Sequence, residues 1–236
     1  MRIHTDRTYP PLRAVLFDLD GLLINSEVLS QQNSLDVCRE MGYAVDETMT
    51  RKMLGANAAE CRRILREAVP DVDEEAYVVR VRERLFELFR KELRTMPGTE
   101  DLLAFLKEAG IPFALASSSS RERVQLSLSV TGLDRYFGTV LTGECAARSK
   151  PAPDLFLAAA AALHTPPPNC LVFEDSVNGV RAGRAAGCMV CMVPDIMPYT
   201  EALSDACDFL LPSLREAPEL VRELCCLLET DRKSVV

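Results

Sequence analysis

The stretch Ala14-Val-Leu-Phe-Asp-Leu-Asp-Gly-Leu-Leu-Ile-Asn-Ser-Glu27 decides the fold. Its first four residues are apolar without polar alternation, the pattern of a strand covered on both faces, as in a parallel sheet. The run stops on two aspartates, Asp18 and Asp20, with one residue between them, and Gly21 then lets the chain turn sharply. Asp–Gly is ordinary turn chemistry, which explains Asp20 and Gly21 but not an aspartate at 18 directly behind a buried run. Alternate residues of an extended segment point the same way. The two carboxylates therefore repel, and each is pushed toward protonation. A hard divalent cation removes that penalty, and Mg²⁺ favours carboxylate and carbonyl oxygens.

Similar apolar runs recur outward along the chain, at Phe113–Ala116, Thr139–Leu141, Leu171–Phe173, Met189–Val193 and, more weakly, Phe209–Leu211. Helical patterns separate them: Leu102, Leu103 and Leu106 before the second run, Val124, Leu126 and Leu128 after it. Repeated strand–helix–strand order predicts an α/β fold with a doubly wound, Rossmann-like parallel sheet. One interval breaks the alternation. Between Ser26 and Met96 only helical patterns occur, with Val78, Val81, Leu85 and Leu88 at helical spacing. Pro97 and Gly98 punctuate its end, and Thr99 reads as the N-cap of the next helix. The expected organisation is an α/β core of residues 1–24 and 97–236, interrupted by an all-α domain of residues 25–96. The ends, up to about Pro11 and beyond about Thr230, read as frayed.

Composition narrows the function. The chain has 236 residues, 48% of them hydrophobic and 26% charged, with a net charge of -8. That acidic balance argues against nucleic acid as a partner. No segment approaches the roughly 18 apolar residues of a membrane span, and the first residues lack the apolar core of a signal peptide; the expected location is the cytoplasm. Nine cysteines, an odd number spread through both halves, read as reduced thiols rather than a disulfide framework. Cys188 and Cys191 form a lone CxxC inside an apolar run and read as core residues. Two histidines, His4 and His164, leave little for a His-dependent triad or a His-rich metal site. Oligomeric state is not legible.

The remaining chemistry lies at the other strand ends, which in an open parallel sheet face one crevice. The second strand ends in Ala-Ser-Ser-Ser-Ser, presenting Ser117 and Ser118, whose hydroxyls and amides suit phosphate oxygens. The fourth ends in Glu174 and Asp175, a second acidic pair. Between them Lys150 is followed by Pro151 and Pro153, which stiffen its loop. Gly179, Gly183 and Gly187, spaced by four, read as a close helix–sheet contact, with Gly187 ending the helix.

Phe-Asp-Leu-Asp-Gly-Leu-Leu from Phe17, Leu-Ala-Ser-Ser-Ser from Leu115, Ser-Lys-Pro-Ala-Pro-Asp from Ser149 and Val-Phe-Glu-Asp-Ser-Val-Asn-Gly-Val from Val172 resemble, in order, the four motifs of haloacid dehalogenase superfamily phosphatases. The resemblance spans about Val15 to Asp195. It implies that the helical insert is a cap of the kind found in the β-phosphoglucomutase-like subgroup, closing over a small phosphorylated metabolite. It further implies that Asp18 is the nucleophile and forms an aspartyl phosphate, and that Asp20 is general acid and then general base. Mg²⁺ would be held by Asp18, the backbone carbonyl of Asp20, Asp175 and Glu174. Ser117, with Ser118 beside it, and Lys150 would hold the phosphoryl oxygens. The Pro-Pro-Pro-Asn-Cys-Leu-Val-Phe-Glu-Asp stretch from Pro166 is similar to pseudouridine-monophosphate phosphatases, a hint toward nucleotide or sugar phosphates.

Three other readings fit less well. The mutases of this group carry a cap histidine where Ser30 stands, an aspartate where Asn25 stands, and basic or hydroxyl groups where Leu54, Asn57 and Ala58 stand. Dehalogenases of the superfamily do not keep the second aspartate. Phospho-accepting receivers lack both the insert and the lysine–proline loop, and a catalytically silent phospho-ligand binding module is the alternative that turnover of p-nitrophenyl phosphate with Mg²⁺ separates.

Overall fold

The structure, a computed structural model, describes residues 3, 4, 7–54, 56 and 58–233; of residues 58 and 226–233 it describes the backbone alone. Six parallel strands form one sheet: β1 (Ala14–Phe17), β2 (Phe113–Ala116), β3 (Val140–Leu141), β4 (Cys170–Glu174), β5 (Met189–Met192) and β6 (Phe209–Leu210). Their spatial order is β3-β2-β1-β4-β5-β6, so the strand leading to Asp18 is central. Register places Phe17 beside Leu115 and beside Phe173, which brings the ends of β1, β2 and β4 to one edge.

The alternation of each strand divides the core in two. Val15, Phe17, Leu115, Leu171 and Phe173 face one side, against α5 (Thr99–Glu108), α6 (Arg121–Thr131) and α9 (Ala217–Lys233). Phe17 and Phe173 stack there with ring centroids 5.5 Å apart. Leu16, Ala114, Val172 and Val190 face the other side, against α7 (Asp154–Ala162) and α8 (Val177–Ala185). Burial on both faces is why these strands lack polar alternation.

Four helices separate β1 from β2: α1 (Ser26–Glu40), α2 (Glu47–Met53), α3 (Ala58–Ala68) and α4 (Glu74–Glu92). Val37, Cys38, Met49, Ile64, Leu65 and Tyr77 form an apolar cluster of their own, while Leu29, Leu85 and Phe89 join the main core. The two strands of chain entering and leaving this block are tied together. Asn25 Oδ1 accepts from the Arg94 amide at 2.8 Å, the Asn25 amide donates to Arg94 O at 3.1 Å, and the Met96 amide donates to Leu23 O at 2.8 Å.

Several expectations shift. Gly98, at φ 90°, stands at the N-cap of α5. Thr99 is the first helical residue, buried, with its hydroxyl donating to Leu23 O at 3.1 Å. Of the four apolar positions read on α4, Val78 is 37% exposed, whereas Tyr77 and Phe89 are buried. The N-terminal segment is not frayed where it is described: Tyr9 packs on Phe209 with centroids 4.8 Å apart, and Arg7 pairs with the buried Asp208 at 2.8 Å. At the other end α9 continues to Lys233. Cys188 and Cys191 are buried in the core, and the eight described cysteines are free thiols. Gly183 does make the close helix–sheet contact, since a Cβ there would lie 3.0 Å from Val190 Cγ2. Gly187, at φ +80°, follows the end of α8.

Candidate active site

Asp18 follows β1 directly and its amide donates to Phe173 O at 3.1 Å, which fixes the residue over the β1–β4 seam. Lys150, from the loop before α7, reaches the same place. Its Nζ donates to Asp18 Oδ1 at 2.5 Å, to Glu174 Oε1 at 2.7 Å and to Ala116 O at 3.1 Å. The ammonium also lies 4.5 Å from the Phe156 ring centroid. One buried cation thus bridges residues arriving from the ends of β1, β2 and β4.

Oxygens of Asp18, Glu174 and Asp175 all lie within 4.8 Å of one another. The backbone is fitted closely around them. Gly21, at φ +82°, leaves room for Asp175, whose Oδ2 would be 2.3 Å from a Cβ at that position. Gly179, on the first turn of α8, leaves room for Glu174, whose Oε1 would be 1.7 Å from a Cβ there. The other Glu174 oxygen accepts from the amides of Asp175 at 3.1 Å and Ser176 at 3.0 Å and from the Ser176 hydroxyl at 3.0 Å. Gly179, read from sequence as a sheet contact, instead faces this carboxylate.

Three carboxylates against one ammonium leave an excess of negative charge away from water. Burial pushes the Asp18 carboxyl up to about 7, with Glu174 and Asp20 adding to the rise and Lys150 opposing it. Burial, then Glu174 and Asp18, push Asp175 well above the carboxylate range. For Lys150 burial acts to lower the pKa, but the paired carboxylates outweigh it and hold the ammonium charged. This donor set, hard oxygens with surplus negative charge in a tight cluster, fits a divalent cation.

Asp20 lines the same crevice but stands outside the three-carboxylate cluster. Its Oδ1 accepts from Ser26 Oγ at 2.6 Å and Arg123 Nη2 at 2.7 Å, and its Oδ2 from Ser119 Oγ at 2.7 Å and Ser117 Oγ at 3.4 Å. Burial alone would raise its pKa; Arg123 and the hydroxyls of Ser26 and Ser119 reverse that and hold it below the usual value. Ser117 is buried, while Ser118 is exposed at the cavity wall. Ser119, Ser26 and Arg123 were not read from the sequence. Alternation from Ser117 would have reached Ser119; nothing distinguishes Arg123 from the surface residues of an ordinary helix start.

Above the cluster a cavity of about 1030 Å³ opens between the strand edge and the helical block, where Ser30, Gln31, Tyr77 and Phe86 line it. Asn25 does not reach it and serves the chain crossing instead. Gly55 and Asn57, in the loop expected to carry basic groups in a mutase, lie outside the described residues, as does the side chain of Ala58.

Fold and site together define an α/β protein with an acidic crevice at the carboxyl ends of its strands. Residues 15–193 match the family model of the haloacid dehalogenase-like hydrolases. The chain belongs to that family, on its phosphatase side. It is 32% identical to a phosphorylated carbohydrates phosphatase of Thermotoga maritima, over 75% of this chain and 82% of that one. It is 33% identical to a Drosophila melanogaster protein named as a probable pseudouridine-5′-phosphatase, over 86% of this chain and 91% of that one. A solved family hydrolase of Deinococcus radiodurans, with bound phosphate and sodium, superimposes with a TM-score of 0.74 at 32% identity, covering 91% of this chain and 96% of that one. Other curated relatives are longer proteins, of which the match spans 51% and 19%. No helix among the described residues is long and apolar enough to cross a membrane.

Proposed function

We propose that the protein is a Mg²⁺-dependent phosphatase of small phosphorylated metabolites, sugar phosphates or nucleoside monophosphates, working through an aspartyl phosphate on Asp18. The observation that carries the reading is the lysine bridge: Lys150 at 2.5 Å from Asp18 and 2.7 Å from Glu174, beside Asp175. A purely structural buried ion pair would need one carboxylate, not three.

In this reading Asp18 attacks phosphorus. Asp20, ionised in the free crevice, takes up a proton from solvent when the anionic ester binds; the ester P–O bond then breaks, its electron pair leaves on the alcohol oxygen, and that oxygen takes the proton from Asp20. Water then attacks the aspartyl phosphate and gives its proton to Asp20. The bond to Asp18 breaks and inorganic phosphate departs. Lys150, Ser117 and Ser118 hold phosphoryl oxygens. Asp18, Glu174, Asp175 and the backbone carbonyl of Asp20 are the groups that would hold Mg²⁺, which supplies countercharge when bound. Residues 25–96 are the cap, and the cavity beneath them admits the substrate. The free thiols favour a reducing compartment such as the cytoplasm.

The test is phosphate release from p-nitrophenyl phosphate and a panel of phosphorylated metabolites with Mg²⁺, compared with Asp18→Asn. The variant should be folded and inactive. Substantial turnover by purified Asp18→Asn overturns the nucleophile assignment.

A further inference from the structure

We infer that Arg123 is the positioning residue of Asp20, setting the heading from which that carboxylate delivers a proton to the leaving group. The inference rests on the reading of Asp20 as the proton-transfer group. Arg123 lies in the first turn of α6, where an arginine would ordinarily extend into water. Its guanidinium turns inward instead. Nη2 lies 2.7 Å from Asp20 Oδ1 and 3.2 Å from Ser30 Oγ on α1, and Cζ lies 5.2 Å from the centroid of Phe89 on α4. Its Nε is buried with no hydrogen-bond partner among the described residues. Leaving a buried donor unpaired is costly, so the surrounding contacts hold the guanidinium there against that cost.

The other donors to Asp20 are the hydroxyls of Ser26, Ser117 and Ser119. Hydroxyls rotate to suit whatever acceptor is near. A guanidinium is planar and rigid, and this one is braced on the Ser30 hydroxyl and the face of Phe89. It is therefore the partner that can define the plane of the Asp20 carboxylate. Lys150, the buried cation of the crevice, is committed to Asp18 and Glu174 and makes no hydrogen bond to Asp20.

The step that depends on this heading is departure of the alcohol. The P–O electron pair goes to the ester oxygen and the Asp20 proton joins it. A weakly basic leaving group such as p-nitrophenolate departs without that proton, whereas phenolate depends on it more. The comparison is therefore kcat/KM for p-nitrophenyl phosphate and phenyl phosphate, which share a shape. This constant reads only the steps through leaving-group departure, so later hydrolysis of the aspartyl phosphate does not enter.

Arg123→Gln should lose about tenfold or more on phenyl phosphate, a misplaced group costing up to about 10²-fold, and stay within about threefold on p-nitrophenyl phosphate. Arg123→Lys keeps a cation without the planar fork and should fall between; it carries the comparison if the glutamine variant does not fold by circular dichroism. Equal losses on both esters assign Arg123 to phosphoryl binding or to stability and overturn the inference, as does an unchanged or faster rate on phenyl phosphate. Asp20→Asn separates the two levels. If it discriminates between the esters and the Arg123 variants do not, the inference alone falls. If Asp20→Asn shows no discrimination, the acid assignment falls and the inference with it.

Discussion

Replacing Gly179 with alanine probes the acidic cluster through a single methyl group. The new Cβ would lie 1.7 Å from Glu174 Oε1, 1.8 Å from its Cδ and 2.2 Å from Oε2, where ordinary contact begins at 3.4 Å. The carboxylate must retreat by well over an ångström. That breaks its 2.7 Å contact with Lys150 and strains the bonds of 3.0 to 3.1 Å from Asp175 and Ser176. Hydrogen bonds to a charged group contribute about 1.5–3 kcal/mol each, so losing two costs about 3–6 kcal/mol. Alanine in place of glycine in a helix returns about 1 kcal/mol. The net is about 2–5 kcal/mol of destabilisation, or a melting temperature lower by roughly 5–15 °C at this chain length. Thermal denaturation in EDTA reads the stability, and the Mg²⁺ concentration for half-maximal hydrolysis reads the cluster; Gly179→Ala should need more Mg²⁺. Gly138→Ala is the control, because nothing lies within 4 Å of a Cβ there. A Gly179→Ala protein that melts within a degree of the parent, with an unchanged Mg²⁺ response, would show that Glu174 does not occupy this position.

Other expected outcomes follow from the same site. In EDTA, stability should fall as pH rises from 5 through 7: burial holds Asp18 up at about 7 against an ordinary 3.8, and Asp175 is raised too, so the folded state binds more protons than the unfolded one. The slope is about 1.4 kcal/mol per pH unit per group, and Mg²⁺ should flatten it; a flat or rising profile without metal contradicts the buried-acid picture. Excess EDTA should abolish hydrolysis, with Mg²⁺ restoring it and Ca²⁺ substituting poorly because it favours looser, higher-coordinate geometry; full activity in EDTA would remove the metal from the reading. Asp20→Asn should cost about 10²–10⁴-fold on unactivated esters in steady-state assays, and a negligible loss would reassign the proton transfer. With β-glucose 1-phosphate, free phosphate should form rather than glucose 6-phosphate, since Ser30 offers a neutral hydroxyl to the far end of the substrate. Coupled glucose-6-phosphate dehydrogenase run beside a phosphate assay checks this, and faster glucose 6-phosphate would mean a mutase.

Most of the sheet was legible because β1, β2, β4 and β5 are buried on both faces, so their apolar runs survive as uninterrupted strings, whereas the edge strand β3 is partly exposed. Their ends moved by a residue or two, as at Thr139, which stays outside β3, and Glu174, which joins β4. The helical insert was legible as an absence of strands, but its inner face was not. Val78 shares helical spacing with Leu85, yet it is exposed, while Tyr77 one position away is buried. Asp18, Lys150, Glu174 and Asp175 could be read because each follows a strand or a rigid loop whose direction is fixed by the sheet. Arg123 could not. A long side chain reaches Asp20 and Ser30 from a helix start that looks ordinary, and only the packing of α6 against α4 and the hydroxyl of Ser30 on α1 decide where it goes. Thr99 misled for a related reason: threonine is a good cap, but Gly98 at φ 90° turns the chain one residue earlier and Thr99 finds Leu23 instead.

The central place of β1 has a consequence for how the chain is made. During synthesis Ala14–Phe17 leave the ribosome first, but their partners in β2 and β4 lie about 100 and about 155 residues downstream. At roughly 5–20 residues per second, the second partner arrives some 8–30 s later. Until β2 arrives a strand apolar on both faces has nothing to pair with, and until β4 arrives one of its edges stays open, with the Asp18 site beside it unfinished. The nascent chain should therefore be most vulnerable to aggregation in this interval. It also holds no working crevice until Cys170–Glu174 pairs with β1, so the chemistry is switched on by the last of the central strand pairings.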